Sequence, residues 1–512
     1  MAQKYMTVQN VYAQTRDRLL ISTPPYNLPA TDLVRDDACH ALVNALSSGG
    51  DARISLTGEN GLNKYFSAPY PRDVIAYSSS TVSDISAAAF QHLLALEAKG
   101  QSGSYAERLG RLRERISAAY DMTHAASIVF AASGTDLEYV ALACVRDHAE
   151  GGIHNILLGA DEIGSGCIHS AHGRYFANET ALGLDATPAT DVAGCGPVSI
   201  VDVPVRCGEG GAYSSAEITG SIAREIDIAK MASKHALVHV VHGSKTGLVL
   251  PELADLDALR ERFDADATFV VDACQARITS TAIADYLARD CIVLLTGSKF
   301  MGAPPFNGFA LIPDRLASAA APLPAGFNRI FNRAEFPDDW PGAGALDNGE
   351  NFSLALRLEA AIFELERFQQ IALLQVEAMI AAFEHTLLEQ VIEPLGVKRV
   401  VPNFAKGPEA EHDRPIEMRT LATLDVSMLP GARTFDEAQA LHRELAFDGI
   451  RLGQPVKCVR RDGGWGGTLR IGLSMPMMNV WAQMRANDVE AKLASDLGAI
   501  AEKLRSKTRE HA

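Results

Sequence analysis

The sequence predicts an α/β protein: a mainly parallel, seven-stranded-type sheet sandwiched by helices, followed by a smaller α+β C-terminal domain. Three observations carry that expectation. Short β-rich runs alternate with amphipathic helical patterns from about residue 104 to residue 312, and such alternation builds parallel sheets covered on both faces. A loop region rich in Pro and Gly, Pro322 to Gly349, then interrupts the pattern, and isolated strands and helices follow it. The length, 512 residues, exceeds what one hydrophobic core usually serves.

Taken in order, the first hundred residues mix short helical patterns with loops such as Thr23-Pro24-Pro25 and Ser48-Gly49-Gly50. Ala106 to Ala119 has helical periodicity, with Leu109, Leu112 and Ile116 on one side. The apolar run Ala126 to Ala131 leads through Ser133-Gly134-Thr135 into a helix over Leu137 to His148. Strands are expected at Ile153–Leu158, Val198–Val203, Ala236–Val241, Thr268–Val271, Ile292–Leu295 and Gly308–Ile312. Between them lie helical patterns at Ala216–Ser233, Glu252–Phe263 and Ala282–Ala288. One long helix is expected from Phe352 to about Val391, as the connector out of the large domain. Strand Arg419–Val426, helix Phe435–Phe447, strand Thr468–Leu473 and helix Asn487–Leu504 complete the chain. The expected division is an N-terminal segment 1–100, a large α/β domain 101–345, and a connector with a small domain 346–512.

Composition narrows the function classes. Apolar content of 47% and charged content of 21% are those of a globular protein. The net charge of −16, with no basic cluster, argues against nucleic-acid or anionic-membrane partners. Eight cysteines are scattered singly, without a CxxC pair or zinc spacing, so neither a metal site nor a disulfide framework is expected. A reducing compartment, no signal-like N-terminus and no membrane helix make a cytoplasmic location the expectation.

Four features carry possible chemistry. Ser133-Gly134-Thr135 stands between a strand and a helix, where backbone N–H groups suit a phosphate; it also reads as an ordinary turn or cap. Asp272 ends a strand, where open α/β sheets set their ligands, with Gln275 three residues on; an N-cap is the other reading. Thr296-Gly297-Ser298-Lys299 follows the apolar run Cys291 to Leu295. A lysine there is either a solvated tip or a desolvated amine fit for Schiff-base chemistry. His242-Gly243-Ser244-Lys245 follows a strand and either reaches a cofactor oxygen or simply turns the chain. Asp272 and Lys299 lie 27 residues apart, enough for one helix and one strand, so both emerge on the same sheet edge.

In these motifs, and in Gly449-Ile450-Arg451-Leu452-Gly453 and Leu469-Arg470-Ile471-Gly472-Leu473-Ser474, the chain from about Gly100 onward resembles the fold-type I enzymes that use pyridoxal 5′-phosphate (PLP). Within them it is most similar to the class V group of aminotransferases and cysteine desulfurases. The resemblance implies Lys299 as the Schiff-base lysine, Asp272 as partner of the pyridine nitrogen and Gln275 as partner of the ring hydroxyl. It assigns Gly134, Thr135, Thr296 and Ser298 to the phosphate, and Asn351 to a phosphate contact shared across a homodimer. Arg470, and second to it Arg451, would bind a substrate carboxylate. Ser298 stands where the family has His, and Lys245, beside Ser244, where it often has Asn. The ring-stacking position falls between Glu162 and His172, with His169 as the candidate. The N-terminal segment is expected to wrap the active site or the partner subunit.

The activity so implied is that of an aminotransferase on an amino acid or related amine, a small-molecule substrate. A C–S lyase or desulfurase is the alternative, with Cys458 as a loop cysteine that does not match the family's spacing. Decarboxylation ranks third, and a non-catalytic scaffold is a remote fourth. The loop Arg460 to Gly467 is expected to be mobile, with its arginines in solvent.

Overall fold

A computed structural model describes residues 33–56, 61–99, 103–122, 126–160, 162, 167–401, 415–461 and 463–510. Thr23-Pro24-Pro25 and most of the expected ring-stacking loop, residues 161 and 163–166, lie outside them.

A short strand, β1 (Ile75–Tyr77), precedes the main sheet. That sheet comprises β2 (Ala126–Ala131), β3 (Ile153–Leu158), β4 (Val198–Val203), β5 (His235–His242), β6 (Val249–Leu250), β7 (Ala267–Asp272), β8 (Ile292–Thr296) and β9 (Gly308–Pro313). Its order is β2-β9-β8-β7-β5-β3-β4, with β6 paired to the end of β5. Strands β8, β7, β5, β3 and β4 run parallel. Strand β9 is antiparallel to both its neighbours. The seven expected strands are all present, and the two-residue β6 is an addition that local pattern does not signal.

Central strand residues such as Leu237, Val270 and Ile292 are fully buried, each contributing roughly 1.5–3 kcal/mol by leaving water. The helix Gly134–Val145 is buried at every residue from Thr135 onward, so it lies between the sheet and an outer layer rather than on the surface. Ser133 caps it by accepting from Asp136 N. On the other face, Tyr105–Ala119 and Ser215–Met231 each start with a capping box, Ser104/Glu107 and Ser214/Glu217.

Further strands are β10 (Lys398–Arg399), β11 (Leu421–Asp425), β12 (Ile450–Leu452), β13 (Arg460–Arg461), β14 (Gly464–Trp465) and β15 (Thr468–Gly472). Strands β10, β11 and β15 form an antiparallel sheet, and β13 and β14 a small hairpin. Strand β12 pairs in parallel with β1, register Ile75↔Ile450. The N-terminal segment is therefore stitched to the C-terminal part of the chain.

The single long helix expected from Phe352 is two helices, Phe352–Gln369 and Leu373–Leu387, with the axis turning by 102° between them. Neither Gly nor Pro marks the break. Ile371 N closes a tight turn on Phe368 O, and Ala372 is extended. The turn lets the second helix pack along the C-terminal helix Ala486–Glu510, and tertiary packing decides the bend. No single helix among the described residues is long and apolar enough to cross a membrane.

Candidate active site

Parallel strands bring their C-terminal ends to one edge, and side chains held there point into the crevice beyond it. Register aligns Val241 with Asp272 and Asp272 with Leu294. Gly308 at the start of β9 pairs with Ala131 on one side and Thr296 on the other. Ser133-Gly134-Thr135 and Thr296 to Lys299 are thus neighbours across a single strand. A cavity of about 260 Å³ opens at this edge.

Lys299 and Asp272 line that one cavity. The turn carrying Lys299 is tightly built: Gly297 N donates to Asn307 O, Ala303 N to Gly297 O, and Gly302 N to Lys299 O. A Cβ on Gly297 would come within 2.2 Å of Asn307 Oδ1 and 2.3 Å of Ala361 Cβ. Asp272 Oδ1 accepts from Cys274 N at 2.9 Å, which fixes its carboxylate at the end of β7.

Gly134, Thr135, Ser244, Lys245, Gln275, Thr296, Ser298 and Arg470 also line the cavity. Their commitments differ. Thr296 Oγ1 gives its proton to Cys274 O at 2.7 Å, so its hydroxyl braces the wall. Gln275 donates to Ser80 O and accepts from Arg277 Nη1 at 2.7 Å. Arg277 is fully buried and braces Gln275, donating also to Ser79 Oγ, Thr420 Oγ1 and Leu473 O. Burial brings its guanidinium down to about 9. Arg470 donates to Gln454 O, Ser80 O, Lys245 O and Thr81 Oγ1, and burial lowers it to about 10. Burial, then the neighbouring Arg470, bring Lys245 down to about 8. Ser244 donates to Glu162 Oε2. Burial alone would raise the Glu162 carboxyl, but Arg206 at 2.7 Å, with Ser244 and Thr246, holds it low.

Three expected residues lie elsewhere. Asn351 caps the helix Phe352–Gln369, accepting from Leu354 N and donating to Gly49 O; it is not a wall of the cavity. Arg451 is buried in an ion pair with Asp84 at 2.8 Å and donates to Val82 O. It joins β12 to the N-terminal segment instead of facing a substrate. His169 is exposed on the short helix Cys167–Ala171; Cys167 is the residue of that helix on the cavity wall. The arginines expected in solvent, Arg460 and Arg461, are both exposed, Arg461 also pairing with Asp425 and Arg460 lying over Trp465 at 4.0 Å.

Several walls were not foreseen. Arg53 from the N-terminal segment, and Glu138 and Cys274 from the large sheet's surroundings, are among them, whereas Tyr65, Ser80 and Thr81 belong to the N-terminal segment that was expected to wrap the site. Glu138 is an acid inside an otherwise apolar helix, which was a legible signal. Its Oε2 lies 3.4 Å from His239 Nε2; burial, then Asp272, push its carboxyl well above the ordinary range, and burial takes His239 down to about 4. Among the described residues Ser80 Oγ, Glu138 Oε2 and Asn307 Oδ1 are buried without a hydrogen-bond partner, as walls awaiting a polar ligand would be.

Comparison with known proteins finds likeness in structure only. A NifS-like protein superposes with a TM-score of 0.53 at 12% identity, over 84% of this chain and 99% of that one. An apo cysteine desulfurase from Thermococcus onnurineus NA1 gives 0.52 at 16% identity, over 84% and 95%. No family model and no curated protein sequence matches. The shared fold is that of the group which the motifs resemble.

Proposed function

We propose that this protein is a PLP-dependent enzyme acting on an amino acid or related small amine, and that it is an aminotransferase. The observation that carries the reading is the meeting of Lys299 and Asp272 in one cavity beside the helix N-terminus at Ser133-Gly134-Thr135. The orphaned Ser80 Oγ and Asn307 Oδ1 on its walls fit a polar ring with a phosphate arm better than an apolar ligand.

Bound there, PLP would supply an electron sink that stabilises negative charge at the substrate Cα. The chain's own residues do the rest. Lys299 would be the covalent anchor for the cofactor aldehyde and the amine placed to take and return the substrate's α-proton. Asp272 would be the partner of the ring nitrogen. The amides opening the helix at Gly134 and Thr135, with the hydroxyl of Ser298, would hold the phosphate. Arg470 would orient the substrate carboxylate through the one N–H, on Nη2, that its bonds to Gln454, Ser80, Lys245 and Thr81 leave over. Lys245 adds a second amine beside it, where a proton can be held close to neutral pH.

Elimination at sulfur is the second reading, because one structural neighbour is a cysteine desulfurase. It requires a reactive thiolate. Cys458 is buried and burial pushes its thiol to about 12, which favours transamination. Decarboxylation has no residue in its favour here. A homodimer in the cytoplasm, with a large PLP-binding domain to about residue 345 and a small domain beyond it, completes the proposal; sedimentation of the purified protein checks the dimer.

The decisive experiment adds PLP to the purified protein. A violet absorption band is expected, with loss of that band in Lys299→Ala. Borohydride followed by peptide mass spectrometry should find the cofactor on Lys299. Covalent fixation persisting in Lys299→Ala overturns the assignment.

A further inference from the structure

We infer that Arg53, in the N-terminal segment outside the family resemblance, provides the positive charge for the cofactor's phosphate. The inference rests on the PLP reading above. A phosphate monoester carries about −1.5 to −2 charges near neutral pH, whereas a helix N-terminus offers only about +0.5. The remaining groups at that end, Ser133, Gly134, Thr135 and Ser298, are hydroxyls and amides and bring no charge. Asp136 adds an acid: burial brings its carboxyl up to about 6, so near neutral pH it is largely ionised. A cation is needed, and Arg53 is the arginine at this end of the cavity.

Its position follows from its packing. The guanidinium lies 4.8 Å from the Phe306 ring centre and 5.2 Å from that of Phe176. Phe306 packs with Ala132 and Ile54 in one buried cluster, and Ala132 immediately precedes Ser133-Gly134-Thr135. Phe306 also leads into Gly308, whose Cβ position would touch Ser133 at 3.3 Å. Arg53 is thereby held over the loop assigned to the phosphate, between two aromatic faces that favour a guanidinium. Asp51 accepts from Nε and Nη2 at 2.7–3.0 Å, which orients the group and offsets part of its charge, and Tyr65 is a further partner; Asp51 leaves the Nη1 donors unused. Burial would lower the guanidinium, but Asp51 and Tyr65 raise it, so it stays charged. Planar donors on a fixed cation are suited to a phosphate oxygen pair.

The test compares PLP with pyridoxal, which has the aldehyde and ring but no phosphate, by absorbance titration of the apo protein. Wild type should bind PLP far more tightly than pyridoxal. Arg53→Gln should weaken PLP by roughly ten- to a hundredfold and leave pyridoxal unchanged, and inorganic phosphate should compete with PLP less well in the variant. Arg53→Lys, which keeps the charge without the planar fork, should lose less; unchanged pyridoxal binding shows that either variant is folded. PLP affinity unchanged in Arg53→Gln, or PLP and pyridoxal weakened by the same factor in both variants, overturns the role of Arg53. A wild-type protein that gives no band with either compound would instead overturn the PLP reading itself.

Discussion

Single residues set the chemistry, and their readings from sequence divide by how local the evidence was. Lys299 and Asp272 were read from strand ends and the interval between them, since each follows closely on an apolar run. Arg470 was assigned by the resemblance and does line the cavity, but Arg451, the second candidate, is spent on Asp84. Nothing in a strand's own sequence says which arginine has a buried acid nearby. Arg470 shares its donors among Gln454, Ser80, Lys245 and Thr81, so lysine cannot reproduce its reach. Arg470→Lys should raise KM for the amino substrate roughly tenfold or more. The violet band with PLP should persist; steady-state kinetics beside a spectrum checks both, and an unchanged KM removes Arg470 from substrate binding.

At the scale of the element, strands and helix caps were the most legible parts. Ser104, Ser133 and Thr434 each stand before a helix and each side chain caps it, because capping depends only on residues three positions away. The bend at Gln370 to Ala372 had no such local mark. The turn from β8 into Lys299 depends on Gly297, where the chain passes against Asn307 and Ala361. Gly297→Ala must push one of them away, at a cost of about 1–3 kcal/mol. Thermal unfolding should show that loss, and PLP affinity should fall with it because Lys299 moves. A variant with wild-type stability and affinity would mean that the turn is looser than the contacts imply.

For the whole molecule, stability depends on titratable groups that folding buries. His442, on the helix Phe435–Phe447, donates from Nε2 to Leu452 O at 3.0 Å and burial lowers it to about 4. Its folded pKa is below the unfolded value near 6.5, so between those pH values the unfolded chain binds the proton more strongly. Its contribution is complete above about pH 6.5 and is lost as pH falls toward 4. At pH 5 the loss approaches about 2 kcal/mol. Raised carboxyls such as Glu335, at about 7 through burial, act in the opposite sense, so the informative quantity is a difference. Wild type should lose more stability than His442→Gln between pH 7 and pH 5 in urea unfolding; parallel curves would refute the burial argument. The sequence by itself determined the order of strands and helices, the sheet edge that holds Lys299 and Asp272, and the glycine-led loops around them, because hydrophobic periodicity and turn chemistry act over a few residues. Only the tertiary structure decided that it is this chain's own Arg53, Tyr65, Ser80 and Thr81, of the N-terminal segment, that close the site, since β1 reaches β12 across some 370 residues of chain, and such pairing is chosen by shape and burial that no local pattern records.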